Sequence, residues 1–158
     1  MLSTKTDDAW RHNHPGHWLR QALERFDARV LALMAHHPGV PLGLSNLAAR
    51  GQVGAAHLHI TRHLAPKGSR LTELAQRAGM TKQAMASLVT QCEAWGMVSR
   101  QHDPRDARAR RVLFTPIGLA WLGAYQDATA QAAAEMRDAV GDAVSTVILI
   151  GLEAYCGQ

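Results

Sequence analysis

The stretch from Leu71 to Leu119 most constrains the fold, because it is patterned as two short helices followed by a basic hairpin. Gly79 separates the helical segments, and an arginine-rich run follows them at 103–111. Glycine takes the positive φ of a tight turn, and the small Ala75 lets the two helices approach. Charge runs occur on many surfaces, but this one lies where a wing reaches phosphates or a minor groove. The order of elements predicts a nucleic-acid-binding module.

The positive charge of the chain is concentrated in the same region. The net charge is +4, whereas residues 65–115 hold nine bases against four acids, a surplus of five. The rest of the chain therefore has a net charge of −1. A duplex is a dense polyanion, so a basic module gains affinity by releasing counterions. A solvated charged surface is the alternative explanation.

The rest of the chain is patterned as helices, and its 158 residues suit about one domain. An apolar stripe with spacings of three and four predicts a helix from Trp18 to before Pro38. The stripe consists of Leu19, Leu23, Phe26, Val30 and Leu33. Residues 44–49 and 53–64 are predicted to form one or two helices, broken at Gly51 or Gly54. Residues 1–16 are polar and are predicted to be a flexible arm that ends in a turn.

Capping residues and turn signals locate the remaining elements. Thr72 and Thr81 are predicted to cap the two helices of the helix-turn-helix, because a hydroxyl accepts from an unpaired backbone N–H. In the second helix, Ala84, Met85, Leu88 and Cys92 are predicted to face inward. Short strands at 98–101 and 111–115 are predicted to form a hairpin. Two helices follow, from Pro116 to about 140 and from about 142 to 155.

Five motifs in this region resemble the MarR family of bacterial winged-helix transcriptional regulators. They are LTELAQRAGMT at 71–81, LV at 88–89, EAWGMV at 93–98, DPRDAR at 103–108 and FTPIG at 114–118. The resemblance is specific because the wing motif and the Thr-Pro-x-Gly helix start follow at the right distance. Two positions depart from the family pattern. Ser87 replaces a commonly basic residue, and Trp95, expected to pack, replaces a charged one.

The resemblance implies a mainly α fold, with a winged helix-turn-helix, a small β-hairpin wing, and N- and C-terminal dimerisation helices. The flexible arm at 1–16 would precede a helical dimerisation region at 17–52 and 116–158, with the DNA-binding domain at 53–115. The implied partners are double-stranded DNA and a second copy of the chain, which bind as a homodimer on a pseudo-palindromic operator. Packing of the apolar terminal helices within one chain is the alternative to a dimer.

The resemblance places DNA contacts on the second helix, the recognition helix. Backbone N–H groups at its start and Lys82 are expected to hold phosphate, while Gln83 reads a base edge. Ser87 offers only a short, uncharged contact. The expected contacts of this helix are Thr81, Lys82, Gln83, Ala84, Ser87 and Gln91.

The wing supplies the other implied DNA contacts. Arg105, at its tip, is expected to enter the minor groove, because that narrow negative slot attracts a guanidinium group. Arg108, Arg110 and Arg111 are expected DNA contacts too, although solvation of the hairpin is the alternative for Arg110 and Arg111. Asp103 and Arg108 flank the turn, and they are expected to pair with each other and brace the wing.

The family is commonly controlled by small anionic aromatic compounds, by thiol oxidation or occasionally by zinc. The resemblance places an effector crevice between the dimer helices and the winged lobe. Aromatic walls and groups that bind a carboxylate would come from the effector candidates, His17, Trp18, His57, Arg62 and Trp121.

Metal and redox control are weaker alternatives in this sequence. His59 and His63 share a helix face, but no carboxylate or thiol lies at a familiar offset, so we expect no metal site and no cofactor. Cys92 and Cys156 match no metal spacing and are expected to be structural thiols. Cys92 falls on the inward face of its helix, where core packing is expected rather than oxidation.

The function that these patterns favour is a sequence-specific DNA-binding transcriptional regulator, a repressor that a small molecule releases from DNA. An enzyme is not expected, because the chain lacks a phosphate-binding glycine loop, a nucleophile elbow and paired carboxylates. A winged helix used for protein assembly is the competing class, although it gives no reason for the wing arginines. No apolar window reaches about 20 residues, so we expect a cytoplasmic protein without membrane contact.

Overall fold

The computed structural model describes residues 8–157, and it confirms the predicted mainly α, winged-helix class. After a 3₁₀ turn at Ala9–Arg11, the described chain forms seven α-helices. These are α1 (Pro15–Ala35), α2 (Leu42–Ala49), α3 (Ala55–His63), α4 (Leu71–Arg77), α5 (Lys82–Ala94), α6 (Pro116–Val140) and α7 (Asp142–Cys156). The strands β1 (Ser69–Arg70), β2 (Val98–Asp103) and β3 (Asp106–Phe114) form one antiparallel sheet in the order β1-β3-β2.

The first helix begins three residues before the predicted Trp18. Pro15 suits the first helical position because its missing N–H would have no partner there. Nδ1 of His14 accepts from the backbone N–H of His17 at 3.3 Å, which caps the helix. Helix α1 therefore already occupies the end of the predicted arm, of which residues 1–7 lie outside the described chain.

One core joins the helices to the sheet, and it takes in Phe26, Val30 and Leu33 of the stripe predicted on α1, whereas Leu19 and Leu23 of that stripe are exposed. Trp121 on α6 is fully buried, and its Nε1–H donates to Oγ1 of Thr61 on α3 at 3.1 Å. Ala124, Ala128 and Ala132 continue the buried face of α6. Their small side chains let α1 pack closely against α6. Other fully buried core side chains are Met34, Leu58, Ile60, Leu74, Met85, Met97 and Val112.

The structure corrects three details of the predicted elements. Thr72 is not a cap, because α4 begins one residue earlier and the N–H of Arg70 donates to the carboxylate of Glu73 at 3.1 Å. Ala84 faces outward rather than inward. Strand β1, whose Arg70 pairs with Arg111 of β3, was not predicted. A strand of two residues has no periodic pattern from which it can be recognised.

The two terminal helices leave large apolar side chains uncovered. On α7, Val147 is 69% exposed and Ile150 is 60% exposed, and Leu23 on α1 is also exposed. A groove of about 790 Å³ runs between α1, α6 and α7, with Trp18 among its lining residues. Within the described chain, no single helix is long and apolar enough to cross a bilayer. Helices α6 and α7 meet that test only as a pair bent by 119°, on length and composition alone.

Candidate nucleic-acid interface

The turn before the recognition helix has the geometry that its residues predict. Gly79 has a φ of +63°, and the N–H of Met80 donates to the carbonyl of Ala75 at 2.9 Å. Oγ1 of Thr81 accepts from the N–H of Ala84 at 3.1 Å, which confirms Thr81 as the cap of α5. The turn therefore sets the angle between α4 and α5, and α5 is the recognition helix of this fold.

Helix α5 separates a buried face from a polar face. Met85, Leu88, Val89 and Cys92 are buried against the core. The exposed face includes four predicted DNA contacts, Lys82, Gln83, Ser87 and Gln91. Thr81 and Ala84, at the start of the helix, are exposed as well. A groove-reading helix requires this arrangement, because its outer side chains must be free to reach bases and phosphates.

Gln91 differs from its neighbours because it has a partner inside the protein. Its Oε1 lies 2.6 Å from Nε2 of His57, which is 8% exposed on α3. The imidazole also packs against the ring of Trp95, with 4.7 Å between centroids. Trp95 is half-buried against the core, so the packing role expected for this unusual residue is confirmed.

The wing is a hairpin whose turn is held by a buried carboxylate. Strands β2 and β3 pair from Val98 with Phe114 as far as His102 with Arg110, and the register shifts at the next step. Asp103 is 5% exposed and accepts from the N–H of Arg105 at 2.9 Å. This backbone hydrogen bond, and then the hydrogen bond from Arg70, lower the pKa of the Asp103 carboxyl.

The partner of Asp103 is not the predicted Arg108. Nε of Arg70 donates to Oδ2 of Asp103 at 2.7 Å, because strand β1 places Arg70 beside the base of the wing. Arg108 instead donates its backbone N–H to Asp106 at 3.0 Å. The predicted bracing role of Asp103 therefore stands with a different cation, and the guanidinium of Arg108 is left for other contacts.

The basic side chains of this region differ in whether they have a hydrogen-bond or ion-pair partner within the protein. Arg111 donates to the carbonyl oxygens of Lys67 at 3.1 Å and Gly68 at 2.8 Å, and so ties β3 to the loop before β1. Arg100 pairs with Glu93. Within residues 65–115, five exposed bases have no side-chain hydrogen bond or ion pair and are called the unengaged bases. They are Lys67 before β1, Lys82 at the start of α5, and Arg105, Arg108 and Arg110 in the wing.

The five effector candidates do not line one cavity. His17 and Trp18 are neighbours on α1, with ring centroids 5.1 Å apart, and Trp18 lines the groove beside α6 and α7. Trp121 is fully buried, and the side chain of His57 is hydrogen-bonded to Gln91 of the recognition helix. The effector site that these residues were expected to form remains a prediction.

Arg62 belongs to a network that sequence reasoning missed. Its guanidinium pairs with the buried Asp27 of α1, and its Nε donates to the hydroxyl of Tyr125 on α6 at 3.1 Å. Burial opposes the charge on Arg62, but the hydrogen bonds to Asp27 and Tyr125 outweigh burial and raise its pKa. The one available signal was an aspartate one residue after Phe26 in the apolar stripe. The network joins α1, α3 and α6 where the lobe meets the terminal helices.

The remaining candidates for metal and redox control are a pair of histidines and two cysteines. The rings of His59 and His63 are stacked with centroids 6.2 Å apart. In the described part of the chain, no group of three His, Cys, Asp or Glu side chains is placed to hold a metal ion. Cys92 is buried, which confirms its packing role and raises the pKa of its thiol to about 12, whereas Cys156 is exposed.

Comparison with known proteins points to one family. Residues 58–109 match the MarR family. This segment contains α4, α5, β2 and the turn of the wing, so it includes most of the interface described above. No curated protein shows significant sequence similarity to the chain.

Solved structures share the fold over nearly the whole chain. The transcriptional repressor CouR bound to a 23-mer DNA duplex has a TM-score of 0.70 and 19% identity, covering 98% of this chain and 99% of that one. CouR from Rhodococcus jostii RHA1 bound to p-coumaroyl-CoA has a TM-score of 0.65 and 15% identity, covering 92% and 93%. Bordetella bronchiseptica BpsR, whose DNA binding is regulated by 6-hydroxynicotinic acid, has a TM-score of 0.66 and 18% identity, covering 93% and 96%.

Proposed function

From the match of residues 58–109 to the MarR family, we propose that the chain is a member of that family and a homodimeric, sequence-specific repressor of transcription. The observation that carries this proposal is the placement of four unengaged bases, Lys82, Arg105, Arg108 and Arg110. The first lies at the start of the recognition helix and the others lie in the wing. Such bases beside a groove-reading helix supply both phosphate contacts and minor-groove contacts.

The contacts that Asp103 makes in the wing support the same function. Asp103 uses its carboxylate on the backbone of Arg105 and on Arg70, and both contacts are at the base of the turn. The Arg105 guanidinium is thereby presented on a fixed backbone without being neutralised. A held backbone loses less freedom on binding, which favours affinity. An assembly module has no need for a charged tip that is braced and left unpaired.

The homodimer is proposed from the uncovered apolar side chains of the terminal helices. Val147 and Ile150 on α7 would be costly to leave in water, and soluble monomers seldom expose such surfaces. A second copy that packs against the groove between α1, α6 and α7 would cover them. Its symmetry would place two recognition helices on successive major grooves of a pseudo-palindromic operator.

Release by a small anionic aromatic effector is the regulatory part of the proposal. CouR was solved with p-coumaroyl-CoA, and DNA binding by BpsR is regulated by 6-hydroxynicotinic acid. Both compounds carry a ring and an anionic group. In this chain, the Arg62, Asp27 and Tyr125 network joins the lobe to α1 and α6, so a ligand that alters it would change the spacing of the two lobes.

DNA binding across a salt series tests the proposal. We expect the wild type to bind its own upstream intergenic DNA saturably, with affinity that falls as salt rises. Arg105→Ala should weaken binding about tenfold and reduce the salt slope by about 1. Arg50→Ala, at an exposed position outside the interface, is the matched control and should bind like the wild type. Absence of binding at low salt, or equal binding by Arg105→Ala, would favour the assembly module.

A further inference from the structure

His57 connects the start of α3 to the outer face of the recognition helix. Its Nδ1 lies 3.0 Å from the backbone nitrogen of Gly54, and its Nε2 lies 2.6 Å from Oε1 of Gln91. The imidazole is buried between these partners and the ring of Trp95. Gln91 is exposed on the polar face of α5. A buried side chain thus holds one end of an exposed side chain that faces the proposed DNA site.

The contact with Gly54 fixes the hydrogen-bonding pattern of the neutral ring. A backbone N–H only donates, so Nδ1 of His57 must accept and carries the lone pair. In neutral imidazole the proton is then on Nε2. Nε2–H therefore donates to Oε1 of Gln91, which identifies that atom as the amide oxygen. The two N–H bonds of the Gln91 amide have no acceptor among the residues that the structure describes.

We propose that His57 is a positioning residue for DNA recognition, holding Gln91 as a hydrogen-bond donor to an acceptor atom of the duplex. The inference rests on the proposed function, and it gives the contact expected of Gln91 a direction and a supporting residue. Gln83, Ser87 and Gln91 recur at a spacing of four, so they form one polar stripe along the helix. The stripe carries the expected contacts of the helix about two turns beyond Gln83.

The chemistry of the held amide selects its ligand. A free glutamine reads adenine with both its oxygen and its nitrogen, whereas Gln91 has its oxygen committed to His57. Its remaining N–H groups match acceptors such as guanine N7 and O6, thymine O4 or a phosphate oxygen. Because His57 already restricts the Gln91 side chain, binding would lose less rotamer freedom.

Two substitutions at position 57 separate its two hydrogen bonds. His57→Asn keeps an acceptor near the position of Nδ1 for Gly54 but does not reach Gln91. His57→Gln extends an amide N–H toward the position of Nε2 and keeps the donor to Gln91. Gln91→Met removes the DNA-facing donor at an exposed position, where unfolding is not expected. The fourth protein combines His57→Asn with Gln91→Met.

The probe is a duplex that the wild-type protein selects from a random-sequence library. We expect His57→Asn and Gln91→Met each to weaken binding about fivefold to tenfold, and His57→Gln to stay within about threefold of the wild type. The double variant should bind no more weakly than Gln91→Met alone, because His57 acts through Gln91. A base-edge contact would change affinity at one base pair only, whereas a phosphate contact would weaken all sequences alike.

Several results would overturn the inference. One is a loss of DNA affinity in the double variant that equals the product of the two single losses. Another is a Gln91→Met protein that binds DNA as tightly as the wild type. A third is equal losses of affinity and melting temperature in His57→Asn and His57→Gln, which would give His57 only a structural role. If the wild type selects no duplex, the proposed function fails together with this inference. If the wild type binds and the effects are independent, only this inference fails.

Discussion

The winged lobe and the terminal helices differ in how far their apolar side chains are buried. In the lobe, Met85 and Val89 of α5 and Val112 of β3 are buried within the chain. On α7, Val147, Leu149 and Ile150 are exposed. The apolar core of the lobe is therefore covered within one copy of the protein, whereas the terminal helices leave apolar side chains that the proposed dimer would cover. The comparison separates the residues that fold the protein from those that we propose assemble it.

The largest expected effect comes from disrupting the uncovered surface of α7. Val147→Asp combined with Ile150→Asp should make the protein monomeric, because a carboxylate would be buried without a partner in the dimer. DNA affinity should fall roughly 100-fold or more, since two half-sites no longer bind as one unit. Sedimentation and anisotropy measure the two effects. Gln52→Asp, exposed in the loop between α2 and α3, is the control. A Val147→Asp, Ile150→Asp protein that remains dimeric would contradict the proposed interface.

The junction between the lobe and the start of α6 should instead be sensitive to packing within one chain. A Cβ atom added at Gly118 would lie 1.9 Å from the carbonyl oxygen of Met97, so the start of α6 must move away from the wing. Gly118→Ala should lower the free energy of unfolding by about 3 kcal/mol. Gly123→Ala, on the same helix with open space around it, should be neutral or stabilising. Equal melting temperatures for the two variants would show that the contact is not tight.

A smaller effect is expected at the base of the wing, and it depends on pH. The folded pKa of Asp103 is below its ordinary value of about 3.9, so its stabilisation is full above that pH and is lost as pH falls through the folded pKa. Asp103→Asn should lower the melting temperature by roughly 2–4 °C at pH 7, and the difference should shrink below about pH 4. Asp138→Asn, at an exposed site, is the control. If the melting temperatures of Asp103→Asn and the wild type differed by the same amount from pH 3 to pH 7, the account would be contradicted.

The smallest effect is expected from oxidation. Burial raises the pKa of the Cys92 thiol to about 12, so little thiolate is present at neutral pH. A thiol reagent should modify Cys156 in the native protein, and should reach Cys92 only after unfolding. Mild peroxide should change DNA affinity by less than about twofold. Rapid modification of Cys92, with loss of DNA binding, would instead indicate redox control.

Local signals predicted much of the fold. Gly79 in its turn, Thr81 as the cap of α5, and Pro116 at the start of α6 each act within a few residues, so the sequence displays them directly. The cap at Thr72 was wrong because strand β1 leads straight into α4, and that boundary depends on pairing with β3.

The sequence patterns did not predict the pairs between residues that are distant in the chain. Arg70 with Asp103 and Arg62 with Asp27 are separated by 33 and 35 residues, and they meet only after the sheet and the helices pack. The hydrogen bond from His57 to Gln91 is of the same kind, at a separation of 34. Each chain position offers several opposite charges or polar partners, and spacing alone does not choose among them. The exposure of most candidate contact residues was therefore predictable, but the contacts within the protein that hold them were not.

The composition of the DNA complex tests the central claim most directly. The mass of wild-type protein bound to a selected duplex, measured by sedimentation at concentrations near the dissociation constant, counts the chains in the complex. The account predicts two chains per duplex, with no intermediate of one chain at equilibrium. A complex with one chain that retains full affinity would contradict it, because the lobe would then bind DNA without the dimer.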